Sequence, residues 1–354
     1  MTRVLHLIPE RHDFQTARAV GSLASGAGGA AHVVRGLPRA AMRLRGDVPF
    51  RPDVVHAWGT RALAAAVVGA PSPIVFSPTE FPTARAAGWL RAVMAYRDVH
   101  AVCSTATQRR FLVERGVPPG RCHLVRPGVD FSRVRRRRDG DLRRRLGFGD
   151  SDYVFMAAGE STRAAAHGDA VWATSIANFV DARFKLLLWG RGPRAASVVR
   201  RAQSLGGGHA VVAGERTLGR AVEFEELLPA ADAVLVTARG PVATLPLAVC
   251  MAAGLPIVST VTYTVAELLE DRHTAVMVPR PAARLVARKM LDLRDDTQTQ
   301  WSIADMARTE AYEYFSLTRF LDQFRAVYGQ VAAGTDVEVP EPAPGAGRRF
   351  HGRS

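Results

Sequence analysis

The sequence predicts an α/β protein made of two similar halves, each a parallel sheet whose strands alternate with helices. Three observations carry that expectation. Short apolar runs of strand length recur along residues 3–127 and again along residues 153–259, with helical stretches between them. The alternation breaks at an arginine-rich stretch over Arg133 to Arg145 and restarts with a new apolar strand at Tyr153. Glycine and proline punctuate element ends, as in Gly254-Leu255-Pro256.

In the first half, Arg3 to Ile8 (RVLHLI) reads as a strand, followed by a helix over Thr16 to Ser25. Gly26, Gly28 and Gly29 end that helix, and Ala31 to Val34 is the next strand. Asp53 to His56, Pro73 to Ser77, Val99 to Ser104 and His123 to Pro127 supply the other strands. An Ala-rich helix follows the first of these, and a helix over Thr105 to Arg115 follows the third. In the second half, strands are expected at Tyr153 to Ala157, Lys185 to Trp189, Ala210 to Val212, Ala233 to Val236 and Ile257 to Ser259. The last two flank a helix opening near Thr244, and another helix is expected around Val265 to Glu270. Leu317, Phe320, Leu321, Phe324, Val327 and Tyr328 fall at helical spacing, so an amphipathic helix closes the fold. The Pro/Gly/Glu-rich stretch from residue 334 has no such period and is expected to be a disordered tail. The reading divides the chain into a basic first domain (1–146), a second domain (147–314), a terminal helix (315–333) and a tail (334–354).

At 354 residues and 47% hydrophobic content, the chain can fill two cores. It has no apolar run near the roughly 20 residues of a membrane span. The N-terminus lacks a signal-peptide pattern, so a cytoplasmic protein is expected. Cys103, Cys122 and Cys250 form no C-x-x-C pair and read as reduced, partly buried thiols. The formal charge of +14 is concentrated: residues 1–150 hold 25 arginines against 11 Asp and Glu, and the remainder is neutral. That asymmetry predicts an anionic partner for the first half, a membrane surface at the inner face or an anionic glycolipid. Nucleic acid is the weaker reading, since no aromatic RNA motif or DNA-reading helix accompanies the arginines. The run Arg133 to Arg145 reads as a solvated interdomain linker, with a patch for anionic lipid as the alternative.

Several segments resemble a known family. Asp232 precedes the strand Ala233 to Val236, and Met251-Ala252-Ala253-Gly254 with Pro256 closes the following helix. Ser104-Thr105, Gly116-Val117-Pro118, Pro127-Gly128-Val129-Asp130, Gly190-Arg191-Gly192-Pro193 and Asp53-Val54-Val55-His56-Ala57 follow the same family's order. The pattern is similar to that of the family-four (group 1) glycosyltransferases. The resemblance implies the GT-B architecture, two facing Rossmann-like domains with a C-terminal helix crossing back to the first. It also implies a nucleotide-sugar donor held mainly by the second domain, a hydroxyl acceptor, transfer with retention, and no metal or other cofactor.

The resemblance also marks where this chain departs from the pattern. The two donor-binding acids fall on Pro241 and Val249, and the Arg/Lys pair expected at the pyrophosphate falls on Glu160 and His167. The glycine-rich first loop is replaced by Pro9-Glu10-Arg11-His12-Asp13-Phe14, and Arg126 stands at a usually apolar position. The donor contacts then expected are Arg163, His167 and Arg239, the close-approach glycines Gly190 and Gly192, and the backbone amides of Thr244 and Leu245 at a helix N-terminus. Glu80, in the loop after the strand ending at Ser77, is the expected catalytic group, stabilising positive charge on the sugar or orienting the acceptor hydroxyl. A transferase is the leading expectation, and a catalytically silent relative that binds a partner is the alternative.

Overall fold

The computed structural model describes residues 2–26, 30–37, 50–134, 137–205, 210–279 and 282–334. The expected tail beyond Gly334, the Gly28-Gly29 break and Arg135 and Arg136 of the basic run lie outside the described residues.

The first half contributes β1 (Thr2–Pro9), α1 (Phe14–Gly26), β2 (Ala30–Leu37), β3 (Val54–Trp58), α2 (Thr60–Gly69), β4 (Ile74–Ser77), α3 (Ala84–Met94), β5 (Val99–Cys103), α4 (Ala106–Val113) and β6 (Cys122–Leu124). The strands pair in parallel in the order β2-β1-β3-β4-β5-β6. The second half begins with α5 (Gly140–Arg145), then β7 (Tyr153–Ala157), α6 (His167–Val180), β8 (Phe184–Leu188), α7 (Ala195–Ser204), β9 (Val211–Ala213), α8 (Gly214–Leu218) and α9 (Phe224–Leu227). It continues through β10 (Ala233–Val236), α10 (Thr244–Ala253), β11 (Ile257–Thr260), α11 (Tyr263–Ala266), β12 (Val276–Val278), α12 (Ala283–Asp295), α13 (Thr297–Tyr314) and α14 (Leu317–Ala333). Its parallel sheet runs β12-β11-β10-β7-β8-β9. The direction of winding therefore reverses between β7 and β10, and the crevice at such a reversal is where α/β sheets bind ligands.

Strands β3, β4, β5 and β10 are buried along their whole length, which explains their continuous apolar sequence: helices cover both faces of a parallel sheet. Helix α10 is buried at every position and packs between its sheet and α13, so it is apolar all round. It ends at Gly254, whose φ of 67° provides the left-handed C-terminal cap. Helix α14 returns to the first domain through the parallel bridge Val129↔Ser316 and lays Phe320, Phe324 and Tyr328 against β1, β3 and β4.

Two expectations change. The stretch Arg133 to Arg145 is not a solvated linker throughout. Arg143 is only 1% exposed and donates to the Ala230 carbonyl and Asp232 Oδ2, both at 2.9 Å, and to the Asp152 carbonyl at 2.6 Å. Leu146 and Phe148 beside it belong to the second domain's core. A charged run conceals one residue that pins α5 to the core of the second half, because a guanidinium has enough donors to satisfy several carbonyls at once. The helix expected over Val265 to Glu270 is a single turn starting earlier, at Tyr263, with the Thr262 hydroxyl accepting from Val265 N as its cap.

The first domain's core also contains a chain of histidines. Trp58 Nε1 donates to His6 Nδ1 at 3.2 Å, so His6 Nε2 carries the proton and donates to His32 Nδ1 at 2.8 Å. His56 bonds Ser77 Oγ at 2.9 Å and Tyr328 Oη at 2.7 Å, tying α14 to the sheet. Burial, reinforced by the charge of His32, pushes His6 down to about 3, and burial holds His56 well below its ordinary 6.5. The unfolded chain takes up protons below about pH 6.5 while these folded imidazoles refuse them. Stability present above pH 6.5 should therefore fall as the pH drops from 6.5 toward 3. Chemical denaturation at successive pH values checks the sign, and His56→Gln should flatten the dependence.

Candidate functional site

The crevice between β7 and β10 is shaped by three loops. After β7, residues 158–166 turn through Gly159 (φ 75°) and Ala166 (φ 51°) into α6. His167 opens that helix and is buried. Its Nδ1 lies 2.9 Å from Ser161 Oγ and its Nε2 lies 3.2 Å from the Ala158 carbonyl. Only a protonated Nε2 can donate to that carbonyl, so Nδ1 accepts from Ser161. Burial lowers the imidazole to about 4, so it stays neutral at physiological pH. Both nitrogens are spent inside the loop. His167 shapes the crevice wall and points no free donor into it.

The loop after β8 carries Gly190 (φ 103°) and Gly192 (φ 106°). A Cβ at Gly192 would lie 2.6 Å from Ser161 N and 2.8 Å from Ser161 O, so this glycine is required by the neighbouring loop's backbone. Ser161 N donates to the Arg191 carbonyl and Arg194 N to the Ser161 carbonyl, locking the two loops together. In the loop after β10, Arg239 forms a two-point pair with Asp169, Nε to Oδ2 at 2.5 Å and Nη2 to Oδ1 at 2.9 Å. Arg163 is exposed, and among the described residues no carboxylate pairs with it. Val249 is buried in the core, where the expected acid would be stranded.

The other domain faces this crevice with the head of α1. Phe14 is inserted among Trp189 and Phe224 of the second domain, with ring centroids 5.2 and 5.8 Å away. Gln15 Oε1 accepts from Thr244 N at 2.9 Å and from Leu245 N at 3.0 Å, and Thr244 Oγ1 lies 3.3 Å from it. The two amides expected to hold a donor phosphate are thus bound by a side chain of the first domain. In the opposite direction, Glu160 Oε1 accepts from Phe14 N at 3.0 Å, at the head of α1. Burial raises that carboxyl above its ordinary value. Arg18 reaches Glu223 at 2.7 Å and Glu225 at 3.1 Å.

A second clasp lies farther along the cleft. Glu267 is buried and accepts from Ala106 N at 2.5 Å, from Thr107 N at 3.0 Å and from Thr107 Oγ1 at 3.0 Å, capping α4 of the first domain. Arg126 Nη1 lies 3.6 Å from the same carboxylate, which accounts for an arginine at an otherwise apolar position. The domains are therefore closed on each other. The hollow at the switch point measures only about 20 Å³, and the one beside Gln15 and Leu245 about 40 Å³. Drug-sized ligands need roughly 300 Å³ or more. A larger cavity of about 400 Å³ lies in the first domain, bordered by Trp58, Arg61, Thr79, Glu80 and Trp89. Glu80 is exposed at its mouth, and its backbone carbonyl accepts from Gln108 Nε2 at 3.3 Å. Among the described residues no cluster of three or more His, Cys, Asp or Glu side chains is placed to hold a metal ion.

The expected donor residues do not share one hollow: His167 lines the small one at the switch point, Leu245 the one beside Gln15, and Arg239 with Asp169 a separate cavity of about 270 Å³, while Glu80 borders the first-domain cavity. Sequence reading missed Gln15 and Glu267. Both act across the domain boundary, and the only hint was the pair of departures, Glu160 and Arg126, that needed partners.

Comparison with known proteins places both halves. Residues 9–133 match the model described as Glycosyltransferase Family 4, and residues 155–296 match the one described as Glycosyl transferases group 1. The chain is similar to an N-acetyl-alpha-D-glucosaminyl L-malate synthase of Bacillus anthracis, 25% identical over 218 residues, or 59% of this chain. The match spans 56% of that relative's length. Among solved structures, Anabaena HepE in complex with UDP-glucose superposes with a TM-score of 0.76 at 14% identity, covering 93% of this chain and all of that one. WaaG, a glycosyltransferase involved in lipopolysaccharide biosynthesis, gives 0.67 at 14% identity over 92% of this chain and 99% of its own. These structural likenesses establish the two-domain fold.

Removing the Glu267 carboxylate leaves the α4 amides uncapped and Arg126 buried without this partner. Glu267→Ala is expected to destabilise the protein by about 3 kcal/mol. Adding Arg126→Met should recover part of that loss, read as the shift in urea midpoint across the double-mutant cycle.

Proposed function

We propose that this chain, which belongs to the group 1, family-four glycosyltransferases, transfers a sugar from a nucleotide-diphosphate donor to a hydroxyl group of a membrane-associated acceptor, with retention. The observation that carries the donor site is the head of α10. Its leading amides face the interdomain crevice at the switch point and bind an acceptor oxygen there. A diphosphate offers the same kind of oxygen with added negative charge, which the positive end of a helix favours. Arg163, exposed beside the crevice, supplies the cation that Glu160 and His167 do not. With a helix terminus and an arginine meeting the charge of the departing diphosphate, we read the reaction as independent of metal. Arg239 acts through Asp169, holding the loop after β10 against α6. Glu80 borders the first-domain cavity, where a carboxylate can orient an acceptor hydroxyl or stabilise positive charge on the sugar once the domains align around both substrates.

The membrane reading rests on one face of the first domain. Helix α3 exposes Arg85, Trp89 and Tyr96 on and just beyond its outer side, with Arg91 exposed on the flank toward α4, and α2 exposes Val68. Tyr96 is 88% exposed, Val68 64% and Trp89 36%. Arg91 packs alongside Gly116 just after α4, beside Arg115 and Glu114, so two arginines and one carboxylate meet there. Amphipathic aromatic rings beside unpaired arginines suit the headgroup layer of an anionic bilayer, where each basic residue contributes about 1 kcal/mol. Among the described residues no helix is long and apolar enough to cross a membrane.

A silent relative that keeps the fold is the second reading. The closed cleft and the loss of acids at Pro241 and Val249 favour it.

Two measurements test the proposal. Calorimetric titration at low salt should find one nucleotide diphosphate that binds, with UDP tried first because HepE is solved with UDP and UDP-glucose. Arg163→Ala should weaken that binding about tenfold. Absence of binding by UDP, GDP and ADP to the folded wild type and to a folded Gln15→Ala variant alike would establish the silent reading instead. Separately, the protein should sediment with phosphatidylglycerol-containing vesicles and not with phosphatidylcholine vesicles. Arg85→Glu combined with Arg91→Glu should abolish that sedimentation while leaving nucleotide affinity unchanged.

A further inference from the structure

The heads of α1 and α10 meet across the cleft, and each is capped by a side chain from the opposite domain. We infer that Gln15 is an affinity-setting residue that occupies the diphosphate's place in the closed chain, so that a donor binds only by displacing it. This rests on the donor reading above.

Three observations on the page converge. The Gln15 carboxamide oxygen takes both amides at the head of α10, at 2.9 and 3.0 Å, and lies within reach of the Thr244 hydroxyl. It comes from the second residue of a helix whose first residue, Phe14, is buried in the other domain, so the side chain is delivered by a rigid element. The hollow beside Gln15 and Leu245 holds about 40 Å³, so a diphosphate cannot reach those amides while Gln15 stays. Glu160 completes the arrangement from the other side by capping Phe14 N. Two helix heads of like polarity face each other, and the chain supplies oxygen acceptors to both.

The chemistry of the occupant matters. A neutral carboxamide oxygen is a weaker acceptor than a charged phosphate oxygen, so Gln15 can hold the amides in the absence of nucleotide and still be displaced when one arrives. A carboxylate at the same position would compete far better. The two substitutions Gln15→Ala and Gln15→Glu should therefore move nucleotide affinity in opposite directions. A residue that merely supports the fold would weaken binding in both variants.

UDP is the probe, titrated into the wild-type full chain, Gln15→Ala and Gln15→Glu, each first shown to be folded by its thermal transition. Alanine favours helix, and Gln15 is only half-buried, so folding of that variant is expected. The expected result is binding about tenfold tighter for Gln15→Ala, or about 1.4 kcal/mol, and weaker than wild type for Gln15→Glu. Equal or weaker binding by Gln15→Ala, with the wild type still binding UDP, overturns the displacement while leaving the donor site in place. No binding by any of the three folded proteins overturns both the displacement and the uridine donor. Binding that appears only in Gln15→Ala supports the displacement in its strongest form.

Discussion

Two helices meet head to head in this protein, and much of the interdomain structure follows from that constraint. The N-termini of α1 and α10 both point positive partial charge into the cleft; Asp13 caps Thr16 N of α1 from within, leaving Phe14 N and the leading α10 amides to find acceptors. Left alone, the pair would repel and leave donors unsatisfied. Gln15 and Glu160 solve the problem by crossing over, each capping the other domain's helix. Phe14 then becomes part of the second domain's core, and Arg18 finds Glu223 and Glu225. The closed cleft is thus built from ordinary helix capping carried out between domains.

The positions where this sequence departs from the pattern it resembles take part in the same contacts. An acid lost from α10 at Val249 removes a charge from a helix that is buried at every position, and the core gains an apolar contact. Glu160, standing where a cation is expected, has an amide to bind. Arg126, in an apolar place, finds Glu267. Glu160, His167 and Arg126, the polar departures, each have a partner in the structure. Random loss of a site would leave buried polar groups orphaned, and orphaned groups are costly. The altered positions instead form a second, self-consistent set of contacts.

The fold was legible because parallel sheets covered on both faces write themselves as apolar runs of strand length. Strands β7 and β10 and the start of α10 matched to the residue, and most other strand ends moved by one or two. What failed to read was long-range. Arg143 hid in a charged run, since sequence cannot separate a solvated guanidinium from one facing four carbonyl and carboxylate oxygens. Gln15 and Glu267 carry no local signal, because their partners lie 229 and 161 residues away. His167 was legible as a position and misread as a donor: its burial, fixed by Ser161 and Ala158, is a tertiary fact. The site's scaffold is local and periodic, and its occupancy is not.

The strength of the crossed caps decides which way such a protein works. Each neutral amide-to-carboxamide bond contributes about 0.5–1.5 kcal/mol net, whereas bonds to a charged acceptor contribute about 1.5–3 kcal/mol. Gln15 is neutral, and burial raises the Glu160 carboxyl above its ordinary value against the opposing pull of the Phe14 amide. The Gln15 cap lacks the strength of a charged one. Glu267, by contrast, is a buried carboxylate with three donors and an arginine, and it sits away from the switch point. The α1 head is also held by more than its caps: Phe14 packs into the second domain's core and Arg18 pairs with Glu223 and Glu225. Exchanging the acceptor at the α10 amides costs only the Gln15 bonds, whereas separating the domains would also expose Phe14 and break the charged contacts of Arg18 and Arg126.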